Sequence, residues 1–303
     1  MVLVRTLRVG KPLNHDSCTL AFGGAESNVA VALSRLGHRV RWMSLLGSDS
    51  FGDMIEGVLV QEGVEVVAPR SPDRPTGLMV KSPSTGHDRF VTYYRAGSAA
   101  SELSMDSVSD SSLRDARLLH LTGIMPAISA SARELSLDVA SRARQLGLAV
   151  SLDLNYRHLL WPEDEAAPVL RKLARSADFV FGDRAELELL VGDQTLGEQD
   201  LLKSVAALGP SQVVLKKGEA GAMAYVQGEL IEQSAMPVQV VDTVGAGDAF
   251  VAGYLSGWLD SAGPSESLAR GVICGARACE DPGDWEGAPT RAQLELTQME
   301  LAS

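Results

Sequence analysis

The chain has 303 residues, 45% of them hydrophobic, and a formal charge of −12. That length supports one large core, or a core with a small appendage, and the acidic balance argues against a basic groove for nucleic acid. No apolar run approaches ~20 residues, so no membrane span is expected, and Met1 to Arg5 lacks the charged-then-apolar pattern of a signal segment. The three cysteines, Cys18, Cys274 and Cys279, show no metal-binding spacing and read as reduced thiols of a cytoplasmic protein. His15, His38, His87, His120 and His158 are scattered and carry no assigned chemistry.

Residues 1–22 are short alternating stretches broken by Gly10-Lys11-Pro12 and read as strands and turns. Gly23-Gly24-Ala25-Glu26-Ser27-Asn28 follows. In the next stretch Val29, Leu33 and Leu36 fall on one helical face, and Gly37 is placed to end the helix. Arg39 to Gly47 is a strand candidate and Gly52 to Glu62 a helix. Thr76 to Lys81 and Arg89 to Arg95 alternate like two strands joined by Ser82-Pro83-Ser84-Thr85-Gly86. With residues 1–22 they predict a small sheet apart from the main core.

From Ala116 the pattern changes to strand, helix, strand, helix. Leu118 to Gly123, Ala149 to Leu154, Phe179 to Phe181 and Val213 to Lys216 are short apolar runs, separated by helical stretches Ala130–Leu146, Asp164–Ser176, Ala185–Val191 and Asp200–Leu208. This alternation predicts an α/β fold, with parallel strands covered by helices on both faces. Ligands in such sheets sit beyond the carboxyl ends of the strands, where Gly123, Asp153 to Asn155, Gly182-Asp183 and Lys217-Gly218 are expected to gather.

The most informative stretch is Val240-Val241-Asp242-Thr243-Val244-Gly245-Ala246-Gly247-Asp248 and the helical run after it. A Gly-Ala-Gly turn brings backbone N–H groups close to an anion. A helix beginning near Ala246 adds its positive dipole end and unpaired N–H groups. Asp248 stands at the lip of this hole. Phosphoryl transfer to a hydroxyl needs such donors and such a base.

The whole Asp-Thr-x-Gly-Ala-Gly-Asp string resembles the signature of the ribokinase-like sugar kinase family. Gly23-Gly24, Asn28, Ala30, Gly37 and Gly47 resemble that family's second signature. A Walker-type loop is absent. Tyr93-Tyr94-Arg95-Ala96-Gly97-Ser98-Ala99, Asp153-Leu154-Asn155-Tyr156-Arg157 with Trp161, and Gly283-Asp284-Trp285-Glu286-Gly287-Ala288-Pro289 are similar to motifs of the family's 2-keto-3-deoxygluconate kinase branch. The resemblance runs nearly the length of the chain. Arginines suit a sugar acid, because guanidinium pairs with carboxylate in a bidentate way.

The resemblance implies a ribokinase-like kinase domain over residues 1–303, with lid strands within about residues 1–22 and 74–98 closing over the sugar. It implies that Asp248 is the catalytic base and that Gly245, Ala246 and Gly247 hold the developing charge. Gly24, Asn28, Tyr93, Arg95, Ile124, Arg157 and Asp284 are the expected sugar-acid contacts. Asn155, Lys216, Gly218, Gly221, Gly245 and Gly247 are expected at ATP, and Glu186 at Mg²⁺ through water. A monovalent cation is left open, and a homo-oligomer through the lid is expected. A neutral ketohexose such as fructose and a non-catalytic sugar-acid-binding remnant are the alternatives. Three features depart from the family pattern. Asp183 stands where the family has Asn, and Met79 where close relatives have Tyr. The family's first core strand, ending in Gly-Glu, is expected to be missing ahead of Met1, through a late start or a shortened chain.

Overall fold

The computed structural model describes residues 1–7, 10, 15–82 and 90–302. The expected Ser82-to-Gly86 connection, apart from Ser82 itself, lies outside the described residues, as do Lys11, Pro12, His87 and Arg89. The chain opens with strands β1 (Val2–Thr6) and β2 (Cys18–Phe22), then helix α1 (Ala25–Arg35), strands β3 (Arg41–Met43) and β4 (Leu46–Gly47), and helix α2 (Ser50–Gln61). Strands β5 (Glu65–Val67), β6 (Arg70–Ser71), β7 (Leu78–Ser82) and β8 (Phe90–Tyr94) follow, then the one-turn helix α3 (Asp110–Leu113). The alternating part comprises β9 (Leu118–Thr122), α4 (Met125–Ile128), α5 (Ala130–Gln145), β10 (Ala149–Asp153), α6 (Glu163–Arg175), β11 (Phe179–Gly182), α7 (Arg184–Val191), α8 (Glu198–Ala206) and β12 (Gln212–Lys216). The chain then forms β13 (Ala222–Val226), β14 (Glu229–Gln233), α9 (Ala246–Leu259), α10 (Pro264–Ala278) and α11 (Arg291–Ala302).

The main sheet has the order β14-β13-β12-β11-β10-β9. Strands β9 to β12 are parallel, as the apolar runs predict. Val180, Val213 and Leu215 point into one core layer with Leu135, Leu170, Leu187 and Leu202 from the helices. Their neighbours Phe179, Phe181 and Val214 point into the other layer, against Val29, Tyr254 and Leu268. This two-sided burial is why the strands read as unbroken apolar runs.

One feature lies beyond the sequence reading and one differs from it. The chain leaves β12 through a turn at Gly218–Ala220 and returns antiparallel as β13 and then β14. A turn this short cannot cross over a sheet, so it cannot connect parallel strands. The single strand expected over Arg39 to Gly47 is divided into β3 and β4, which pair in parallel with β5 and β6 respectively.

The small sheet is present, in the order β2-β1-β7-β8. Its alternation gives it two faces. Val2 and Phe22 pack into a third cluster with Ile55 and Leu59 of α2, while Met79 and Tyr93, paired across β7 and β8, turn the other way over a cavity.

Helix α9 is buried from Asp248 to Gly257, because it lies between the sheet, α1 and α10. The α9–α10 contact depends on small residues. A Cβ at Gly253 would stand 2.6 Å from the carbonyl oxygen of Arg270, and one at Gly257 would stand 2.7 Å from Cα of Ser267. Gly57 of α2, by contrast, is exposed with open space around it. Gly253→Ala should therefore destabilise the fold by about 1–3 kcal/mol through overpacking. Gly57→Ala should stabilise it by about 0.5–1 kcal/mol through helix propensity. Chemical denaturation of both variants checks this, and equal effects would mean that the helices have room to separate.

Candidate active site

Two helix N-termini meet beneath the lid. Helix α1 starts directly after Gly24, whose N–H points at Asn28 Oδ1, 3.3 Å away. The Asn28 Nδ2 donates to Asp248 Oδ2 at 2.7 Å, joining the first turn of α1 to the first turn of α9. Gly245 precedes α9 with φ of 77°, and a Cβ there would stand 1.8 Å from the carbonyl oxygen of Asp284. A side chain at Gly23 would likewise strike the Asp284 carboxylate. Glycine at both places lets the 283–285 segment close against the two helix starts.

Above this floor is a cavity of about 280 Å³. Gly24, Asn28, Tyr93, Arg95, Ile124, Arg157 and Asp284, all expected at the sugar acid, line it, together with Asn155, Gly245 and Asp248. The Arg95 guanidinium lies over the Tyr93 ring, 4.4 Å from its centroid. Its Nε is buried without a hydrogen-bond partner, and burial lowers its pKa. Arg157 is exposed at the opening. Met79 is buried in the cavity wall and supplies bulk without a hydroxyl.

Asp248 is deeply buried. Burial pushes its carboxyl up to about 7, helped by the charges of Asp153 and Glu26 and opposed by the Asn28 hydrogen bond and by Lys216. Lys216 does not line the cavity. Its Nζ lies 2.7 Å from Asp153 Oδ1, and a Cβ at Gly247 would come within 3.7 Å of that nitrogen. Burial alone would lower the Lys216 pKa, but Asp153 and Glu186 outweigh it and raise it.

The other residues expected at nucleotide and metal lie apart. Gly218 is in open space, and Gly221 has φ of 95° with its backbone packed on Gln233 of β14. Asp183 caps α7, its Oδ1 accepting from Glu186 N at 2.9 Å. Glu186 returns the bond, with Oε2 accepting from Asp183 N at 2.9 Å and Oε1 accepting from Tyr156 N at 2.8 Å. Both Glu186 oxygens are thus engaged, and burial raises its pKa. Among the described residues no group of three His, Cys, Asp or Glu could hold a metal ion. This donor set does not fit Mg²⁺ held directly by the chain.

Sequence reasoning gave no role to three residues that shape the site. Glu26 lines the cavity, its Oε1 accepting from Thr122 Oγ1 at 2.5 Å. Lys81 donates to Asp242 Oδ2 at 3.0 Å and lies 3.9 Å from Asp284 Oδ1, tying the lid to the turn before α9. Asp153 holds Lys216. Glu26 stands inside the quoted Gly-Gly signature, which was the available signal. Lys81 reads as an ordinary strand residue.

This site, at the carboxyl ends of β9 and β10 and the N-termini of two helices, is that of a sugar kinase. The chain belongs to the pfkB family of carbohydrate kinases, whose profile matches residues 6–291. It is 40% identical over 293 residues to a 2-dehydro-3-deoxygluconokinase of Bacillus subtilis (strain 168), covering 92% of this chain and 88% of that protein. It is 31% identical over 284 residues to a fructokinase of Escherichia coli, covering 90% of each. The crystal structure of a PfkB protein from Polaromonas sp. JS666 superposes with a TM-score of 0.86 at 34% identity, over 97% of this chain and 96% of that one. The ribokinase-like fold expected from the two signatures is borne out.

The Asp248 environment affects stability in a definite direction. In the folded chain its carboxyl keeps a proton up to about pH 7, against an ordinary value of 3.8. The folded state therefore binds more protons than the unfolded state between those values, and stability falls as pH rises through them. Asp248→Asn cannot ionise, so its melting temperature should exceed that of the wild type at pH 8 and match it near pH 4. A difference independent of pH would show that the buried charge carries no such cost.

Proposed function

We propose that the protein transfers the γ-phosphoryl of ATP to the terminal 6-hydroxyl of 2-keto-3-deoxygluconate. The observation that carries this is the buried, unpartnered Nε of Arg95 in the same cavity as Asp248. A guanidinium held there by stacking on Tyr93 is positioned to bind a carboxylate, and Arg157 adds a second positive charge at the opening. The similarity to the B. subtilis enzyme agrees with this substrate.

Asp248 accepts the hydroxyl proton, the sugar oxygen attacks the γ-phosphorus, and ADP leaves. The N–H groups of Gly245, Ala246 and Gly247 hold the charge that develops on the phosphoryl oxygens. Asn28 orients the base. Asn155, whose Oδ1 is buried without a partner, lies on the wall where the nucleotide meets the sugar. Gly218, in open space beyond the carboxyl end of β12, would border the nucleotide, and Mg²⁺ would supply charge neutralisation at its phosphates.

A coupled ATPase assay with a panel of sugar acids and fructose tests this. The wild type should prefer the sugar acid, and a preference for fructose would overturn the assignment. Asp248→Asn should lose ~10²–10⁴-fold in turnover. Arg95→Ala should lower kcat/KM for the acid by ~10- to 150-fold, the worth of a charge-assisted hydrogen bond, and should change that for fructose little. Arg95→Lys keeps the charge but not the fork and should recover only part.

The lid also offers a surface to a second copy of the chain, since Leu20 and Tyr94 stand exposed on it. Sedimentation velocity should show an oligomer that Tyr94→Asp disrupts. A wild type that sediments as a monomer at all concentrations would exclude this.

A further inference from the structure

The kinase reading uses Asp248 as a base, yet the carboxyl sits where a charge is hard to keep. Four ionisable groups of the sheet and helices lie around Asp248 and its neighbour Lys216, and Met1, Arg95, Arg157 and Asp284 line the same cavity as Asp248. Asp153 comes from β10, Lys216 from β12, Glu186 from α7 and Glu26 from α1, the last on the same helix as the neutral donor Asn28. His120 of β9, its Nδ1 3.0 Å from Ser151 Oγ, borders Asp153 and is held neutral by burial at about 4. Helix α10, which packs along α9, brings Arg270 to Asp260 beyond the far end and to Glu266 of its own first turn, and Arg277 to Glu280. Lys216 is thus the cation that faces the buried carboxylates Asp153, Glu186 and Asp248 from behind the cavity.

Its placement is specific. The ammonium is held by Asp153 at 2.7 Å, and it lies against Gly247, one residue before Asp248 in the first turn of α9. Among the described residues Asp153 Oδ2 has no hydrogen-bond partner, and Oδ1 accepts from Lys216. Asn28 supplies Asp248 with a hydrogen bond but no charge. From behind the first turn of α9, positive potential reaches the base from Lys216 and the α9 N-terminus, while Arg95, Arg157 and the Met1 amino group line the cavity on its other side.

We propose that Lys216, pinned by Asp153, is a positioning residue that sets whether Asp248 carries its proton at working pH. The proposal rests on Asp248 being the base. Lys216 pulls Asp248 toward the carboxylate, and Asp153 both fixes the ammonium and, by its own charge, pushes Asp248 the other way. The two therefore act as an opposed pair, and removing either alone moves Asp248 in opposite directions. A residue that merely supports the fold, or only touches phosphate, has no such sign.

The test is a direct titration of substrate-free protein, by ¹³C NMR of aspartate-labelled carboxyl groups, with the Asp248 resonance assigned by its loss in Asp248→Asn. Lys216→Met should raise the Asp248 midpoint by about 1 pH unit, the effect of one nearby charge, and Asp153→Asn should lower it by a similar amount. The double variant should titrate close to the wild type. The acid limb of kcat/KM against pH should move with these midpoints, upward for Lys216→Met and downward for Asp153→Asn, while Lys216→Arg keeps the wild-type profile. Midpoints that stay put or move in the same direction would overturn the proposal. If Lys216→Met does not fold, the Asp153→Asn shift decides alone. Because the titration needs no turnover, a protein inactive on the sugar acid would refute the function assigned above and leave this inference to stand or fall by itself.

Discussion

The structure depends on keeping one carboxylate, Asp248, in a dry interior at the start of α9. A buried charge without partners costs several kcal/mol, and the surrounding chain is arranged to reduce that cost. Asn28 reaches across from α1 to donate at 2.7 Å. The α9 N-terminus points its N–H groups toward the same place, and Lys216 lies behind the first turn. Two glycines, Gly23 and Gly245, are required because the Asp284 segment passes too close to admit any side chain. The meeting of α1 and α9, the course of the 283–285 segment and the position of Asp248 are therefore parts of one constraint.

The charge distribution follows a similar logic. The protein is strongly acidic overall, yet its cavity brings two arginines to one wall and rim and the acidic groups Asp248, Glu26 and Asp284 to the floor. Lys81 connects the two parts. Its links to Asp242 and Asp284 join strand β7 to the turn that precedes α9, so the small sheet is anchored to the start of α9 and not only to its own hairpin.

Residues expected to share one role proved to divide between chemistry and architecture. Glu186 and Asp183 form a reciprocal cap on α7, which explains how an aspartate can stand at that place in the motif without loss of the local fold. Gly221 is needed by the turn into β13, where its backbone meets β14. Lys216 faces inward to Asp153 and not outward to a groove. Each stands in a motif beside residues that do line the cavity, and the motif alone cannot separate them.

The alternation of apolar runs with 3.6-periodic stretches was enough to place β9 to β12 and α5 to α8, because strands buried on both faces and helices buried on one carry those periods locally. The Gly-Ala-Gly turn, the helix after it and the arginines at 95 and 157 were equally legible, being short-range chemistry. What only the tertiary structure decided is long-range. Asn28 meets Asp248 across 220 positions and Lys216 meets Asp153 across 63. Whether β13 runs parallel or antiparallel depends on the length of a turn and on which strand edge is free. Whether a carboxylate such as Glu186 is available to a ligand depends on which backbone N–H groups are folded against it. Burial and pairing are properties of the packed chain, and a charged side chain has the same appearance in the sequence whether it faces solvent, a ligand or another charge in the core.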